Sequence, residues 1–192
     1  MKNKLIKKIC GLLGYKLIEK NLIKNNRILS EFNVLTLNKV LKNLFSKNKI
    51  NQIIQIGAND GQSFDELSYF IKKNKTNSVL VEPIVENFTK LQIHYKNLNF
   101  IKLENSAISI NDEVSKLYKV NPKYTSKYGS HISAIPSFSQ KHLINHGVNK
   151  KHIITELVTP ITIKKLIAKY NIDNLDLLFV DAEGYDGKII YD

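Results

Sequence analysis

The sequence predicts an α/β protein, a parallel sheet with flanking helices, preceded by helical segments at its N-terminus. Three observations predict it. From residue 50 onward, short β-branched runs alternate with stretches of helical periodicity. The first run, "IIQIG" (53–57), empties into "GANDG" (57–61), small and polar residues of the kind found where a strand ends at the carboxyl edge of an open sheet. No segment approaches about 18 uninterrupted apolar residues, so the 43% hydrophobic content reads as a globular core rather than a membrane span. A length of 192 residues suits one domain with an appendage.

The appendage comes first, as a basic helical region over 1–49. "MKNKLIKKICGLLGYKLIEK" sets Leu5, Ile6, Ile9, Leu12, Leu13 and Leu17 three and four apart, with lysines mostly elsewhere on the wheel. Two destinations stay open for it: an anionic membrane surface met by residues 1–20, or a face of the domain with its lysines solvated. A signal peptide fits poorly, since the apolar run is short, broken by Gly11 and Gly14, and lacks a small-residue cleavage site. A second helix over 33–48 carries Val34, Leu37, Val40, Leu41 and Leu44 on one face, with Asn33 as its N-cap.

The domain proper, 50–192, offers strands at 51–57, 78–82, 98–103 and 175–181, with helices at 62–74, 85–96 and 162–170. Strand and helix in alternation at this spacing make right-handed βαβ units. Segment 121–150 keeps no period and is rich in Ser, Tyr, His and Gly, so a lid or substrate loop is expected there.

Charge narrows the partners. The net charge is +12, but residues 1–50 hold 12 basic residues against two acids, while the rest holds 17 against 15. Arg27 is the sole arginine, which argues against a nucleic-acid reader, because bidentate phosphate and guanine contacts favour Arg. Cys10 stands alone and offers neither a disulfide nor a thiolate pair for a metal; no metal site is predicted, and a reducing, cytoplasmic setting fits best.

Three motifs carry the chemistry. Gly57 and Gly61, between a strand and a helix, leave peptide N–H groups bare where ligands of open sheets bind. "VLVEP" ends a buried strand in Glu82, placed to accept the two hydroxyls of a ribose, with Pro83 stopping the strand. "LDLLFVDAEG" ends a strand expected to be buried on both faces in Asp181 and Glu183, a carboxylate pair that can hold a positive charge, take a proton or ligate a cation. The dinucleotide frame G-x-G-x-x-G is missing two glycines, because Asn59 and Gln62 stand in their places. A nicotinamide cofactor therefore ranks behind S-adenosylmethionine.

With "QIGANDGQ", "VLVEP", "NSAIS" and "IDNLDLLFVDAEGYD" in that order, residues 50–192 resemble the FkbM-type methyltransferases, a branch of the class I S-adenosylmethionine-dependent enzymes. The resemblance implies a Rossmann-like domain that methylates hydroxyls, often of sugars on polysaccharides or glycosylated natural products. It puts Gly57, Asn59, Asp60 and Gly61 at the methionine end of the cofactor, Glu82 and Pro83 at the ribose, Ser106 and Ala107 at the adenine, and Asp181 at the reaction centre. Asp181 and Glu183 lead as the base, with His131 and His142 next, and the acceptor is a small molecule or glycan. Such enzymes continue for three strands beyond the one ending at Asp181, so a domain lacking its last strands is expected. Three alternatives remain: a non-catalytic nucleoside-binding module docked to membrane or partner, an NAD-dependent Rossmann enzyme, and a nucleic-acid methyltransferase, ranked last because "DAEG" replaces the Asp/Asn-Pro-Pro-aromatic turn.

Overall fold

A computed structural model describes residues 36–47, 49–63, 65–110, 113–129, 132, 136–182 and 185–191. The chain divides into a unit Met1–Asn43 and a unit Leu44–Asp192. Helix α1 (Leu37–Lys47) bridges the division; within it Leu41 is buried, whereas Leu37 and Val40 are exposed. The expected helix over 1–20 and the Asn33 cap lie outside the described residues. No described helix is long and apolar enough to cross a membrane.

In the second unit, β1 (Gln52–Ile56), β2 (Asn77–Val81), β3 (Ile101–Glu104) and β6 (Leu177–Val180) form a parallel sheet in the order β3-β2-β1-β6. Helix α2 (Leu67–Asn74) joins β1 to β2, and α3 (Val85–His94) joins β2 to β3. The central strands are Ile- and Val-rich because both their faces are covered. Alternation sends Ile54, Ile56, Val79 and Val81 to one face, where they pack with Leu166 of α5 (Ile163–Lys169) and Ile189 of α6 (Asp186–Ile190). Ile53 and Leu80 point to the other face and are equally inaccessible.

Two expectations change. Strand β6 was predicted to be buried on both faces, yet all four of its residues are half-buried, because among the described residues it pairs with β1 alone. Segment 121–150, expected as a lid or substrate loop, also holds some regular structure, and two strands that were not foreseen flank it. Strands β4 (Ser115–Val120) and β5 (Ile153–Val158) pair antiparallel, and between them lie a 3₁₀ turn (Pro122–Lys127) and the short helix α4 (Gln140–Asn145). Leu117 and Val158 of this hairpin pack on Ile84 and Ala107 at the carboxyl edge of the sheet.

One side chain pins the far edge. Asp176 Oδ2 accepts from the amides of both Asn51 (2.8 Å) and Gln52 (3.0 Å), tying the start of β6 to the start of β1. Replacing Asp176 by alanine is expected to cost about 1–2 kcal/mol, the lower part of the scale for hydrogen bonds to a charged group because both bonds are exposed to solvent. A denaturant midpoint lowered with unchanged slope would register it.

Candidate functional site

Strand β1 does not stop cleanly; it bends toward β2. The amides of Gly57 and Ala58 both donate to the Val81 carbonyl, at 2.9 and 3.0 Å. Gly57 adopts φ +82°, and a Cβ there would overlap the Asp181 carbonyl oxygen. Asn59 follows at φ +50°, a left-handed position that asparagine tolerates better than most residues. Its amide, turned by that conformation, donates to Glu82 Oε2 at 2.9 Å. Glu82 Oε1 accepts from the Ile84 amide at 2.9 Å. The carboxylate, 3% exposed, is thus held between the bend after β1 and the start of α3. Burial pushes its carboxyl up to about 7, although the Ile84 and Asn59 amides pull the other way.

A cavity of approximately 330 Å³ opens at this carboxyl edge. Binding pockets for small molecules run from about 300 to 1,000 Å³, so this one is at the compact end. Gly57, Ala58 and Asn59 form one part of the wall, and Glu82 and Pro83 another. Ser106, Ala107, Ile108 and Leu117 make a largely apolar side. Ser106 Oγ is buried there; it lies near enough to the Glu104 carboxylate to influence it but makes no well-formed hydrogen bond. Asp181 lines the cavity from the end of β6. Its carboxyl is raised first by burial and then by the neighbouring Asp186, which is itself fixed by the Ala182 amide at 2.8 Å.

Asp60 and Gly61, expected to meet the ligand, do not line the cavity. The Asp60 carboxylate builds the turn instead, accepting from the amides of Gln62 (2.9 Å) and Ser63 (2.7 Å) and from Ser63 Oγ (2.7 Å). Gly61, at φ +75°, gives α3 room: a Cβ would lie 2.7 Å from the Tyr95 ring. Glu183 and His131 lie outside the described residues. His142 does not line the cavity, but His146 does, together with Pro136, Ser137 and Phe138. The expected substrate loop thus contributes part of the wall. His146 Nδ1 lies 2.9 Å from the His142 carbonyl oxygen. A carbonyl can only accept, so Nδ1 carries the proton and a neutral ring keeps its lone pair on Nε2.

Sequence reasoning missed Gln55, Asp65 and His146. A signal existed for two of them. Gln55 is a polar residue inside "IIQI", where both neighbours are isoleucine, and Asp65 stands just before the apolar face of α2, a helix-start position. Among the described residues no group of three or more His, Cys, Asp or Glu side chains could hold a metal ion.

A family model described as "Methyltransferase FkbM domain" matches residues 55–191. Among curated proteins and among solved structures, nothing matches.

Proposed function

Since the chain belongs to the FkbM methyltransferase family, we propose that it uses S-adenosylmethionine to methylate a hydroxyl of a sugar on a glycan or glycosylated metabolite. The observation that supports this reading most is Glu82: a buried carboxylate, held by the Asn59 amide of the bend after β1, in the same cavity as Asp181. The bend's Gly57, Ala58, Asn59 and Gly61 amides, expected to be bare, are all taken up within the fold.

The residues present fit such a cofactor. Glu82 takes the Asn59 and Ile84 amides and is also approached by the Asn87 side chain, which leaves acceptor capacity for a ribose hydroxyl. Ser106 and Ala107 line the largely apolar side of the cavity against which the base would lie. The cofactor, when bound, supplies an electrophilic methyl on a sulfonium whose charge disappears as the methyl leaves. The protein's own task is alignment of acceptor oxygen and methyl, plus removal of one proton. Asp181 is the proposed base, since burial makes its carboxylate more basic than a surface acid. The wall from Pro136 to Phe138, with His146, is the side from which the acceptor would enter.

Asp181→Asn separates these roles. Its affinity for S-adenosylhomocysteine by titration calorimetry is expected to stay within about threefold, while methyl transfer falls by about 10²-fold or more. An active Asp181→Asn beside an inactive His146→Gln would move the base to His146. Failure of S-adenosylhomocysteine to bind the full chain would overturn the cofactor reading itself. For setting, the proposal is a cytoplasmic protein, with residues 1–20 available to an anionic membrane face and nucleic acid excluded as an acceptor.

A further inference from the structure

Charge is spread unevenly over the domain. Residues 116–152 carry seven of the 17 lysines in 51–192 and none of its 15 acids, which leaves the remainder with ten lysines against 15 acids. The fold gathers four of those seven. The 3₁₀ turn Pro122–Lys127 follows β4, and a second one, Lys150–His152, leads into β5. Val120 is paired with Ile153, so both turns stand at the same end of the hairpin. Several contacts lock them together. The Asn121 amide donates to the His152 carbonyl at 2.7 Å, and the Tyr124 and His152 rings stack with centroids 3.9 Å apart. The Tyr128 hydroxyl lies 2.6 Å from His152 Nδ1 and accepts from the Asn149 amide at 3.0 Å. Asn121 Oδ1 and Asn149 Oδ1 open the two turns alike, accepting from the amides of Lys123 and Lys151. On this fixed base Lys123, Lys127, Lys150 and Lys151 are all exposed. Like charges gathered this way repel one another, and the folding of the turns does not call for them.

We propose that the two turns form a platform for an acidic glycan, one bearing repeated carboxylates or phosphates, and that the methyl acceptor is a glycan of this kind. The acceptor role rests on the methyltransferase reading; the platform stands without it. Position joins the two. Lys150 follows the cavity-lining His146 by four residues, so their Cα atoms are at most about 14 Å apart. Leu143 and Val148, on either side of His146, pack with Val120, Tyr128 and Ile153, the same residues that carry the turns. A glycan with one unit at the His146 side of the cavity therefore reaches the lysines within a few sugars. The residue type agrees as well. Lysine is a compact charge on a flexible stem, which answers anions spaced along a chain in varied orientations. The planar fork of arginine, which nucleic-acid recognition favours, is missing from the platform.

The test measures binding of hexagalacturonate, its uncharged methyl ester and hexa(ribitol phosphate) to the full chain by calorimetry, at about 0.15 M salt so that distant charges are screened. At least one of the two anions is expected to bind about tenfold or more tighter than the ester, and the tighter one names the acidic group. Replacing Lys123, Lys127, Lys150 and Lys151 together by glutamine should weaken anion binding by about tenfold or more, whereas four arginines should keep it. Glutamine at Lys73, Lys75, Lys96 and Lys164 removes the same charge from exposed positions on other elements and should change binding by less than about threefold. Affinity for S-adenosylhomocysteine should hold in every variant, because none of the substituted lysines lines the cavity. Equal affinity for ester and anions, or equal loss in the two glutamine variants, would overturn the platform. So would an equally large loss on oligothymidylate or on phosphatidylserine vesicles, which would assign these lysines to nucleic acid or to a membrane. Platform-dependent anion binding by a chain that takes no S-adenosylhomocysteine would instead remove the cofactor reading and the acceptor role, and leave the platform.

Discussion

Alanine at Gly57 is expected to lower stability by about 4 kcal/mol, of which about 1–3 comes from the left-handed backbone and about 1–3 from overpacking. The added carbon would overlap the Asp181 carbonyl oxygen and lie 3.0 Å from its carbon, and both atoms are backbone of the adjacent strand. Neither can rotate away. Relief requires β1 to separate from β6 at the point where Asp181 N donates to the Ile56 carbonyl at 3.0 Å, so the cavity would open as the fold weakens. Three other glycines give a graded control. At Gly61 the obstacles are side-chain atoms of Tyr95, Leu91 and His94, which can yield, and about 2 kcal/mol is expected. At Gly147 nothing lies within 4 Å, leaving only the cost of φ +86°, about 1 kcal/mol. At Gly187, within α6 and with open space around it, alanine should add about 0.5–1 kcal/mol of stability. Melting temperatures in the order Gly187→Ala, wild type, Gly147→Ala, Gly61→Ala, Gly57→Ala would bear this out. A Gly57→Ala protein no less stable than Gly147→Ala would refute the claim that Asp181 blocks the site.

That same bend shows what was legible beforehand. The strand over 51–57 and its glycine exit are visible in "IIQIGANDG" because a β-branched run and φ-positive residues are local signals, and the structure has β1 over Gln52–Ile56. The helix expected to begin at 62 begins at Leu67 instead. Competing local chemistry decided this: Asp60 draws the Gln62 and Ser63 amides into a turn, and Asp65 then takes those of Leu67 and Ser68. The β4–β5 hairpin was unreadable for a different reason. Ser115 pairs with Val158 across more than forty residues, and no turn signature links them, so nothing local announces the pairing. The contribution of Pro136–Phe138 and His146 to the cavity depends on that hairpin, and it was foreseen only as an expected substrate loop.

Glu82 links site and fold through its proton. The unfolded carboxyl titrates near 4.5 and the folded one near 7, because burial disfavours the charge. A raised carboxyl stabilises the folded state fully below the lower value, and the benefit is lost as pH rises through the upper one. Two and a half pH units correspond to about 3 kcal/mol. Without ligand, the protein is therefore expected to be more stable at pH 5.5 than at pH 8, and Glu82→Gln should flatten that difference. Ligand binding should run the other way. Ribose hydroxyls donate, so they favour the carboxylate, and S-adenosylhomocysteine must displace the proton to bind below pH 7. Its affinity should rise by up to about tenfold per pH unit between pH 5 and 7 and level off above. Up to one proton is released per site, which appears in calorimetry as a binding heat that changes with the ionisation enthalpy of the buffer. Glu82→Gln can neither release that proton nor accept a hydroxyl as a charged group, so at pH 8 its affinity should fall by about 100-fold, with no buffer dependence. An affinity independent of pH in the wild type, or unchanged in Glu82→Gln, would show that Glu82 does not carry the ribose and that its burial serves the bend alone.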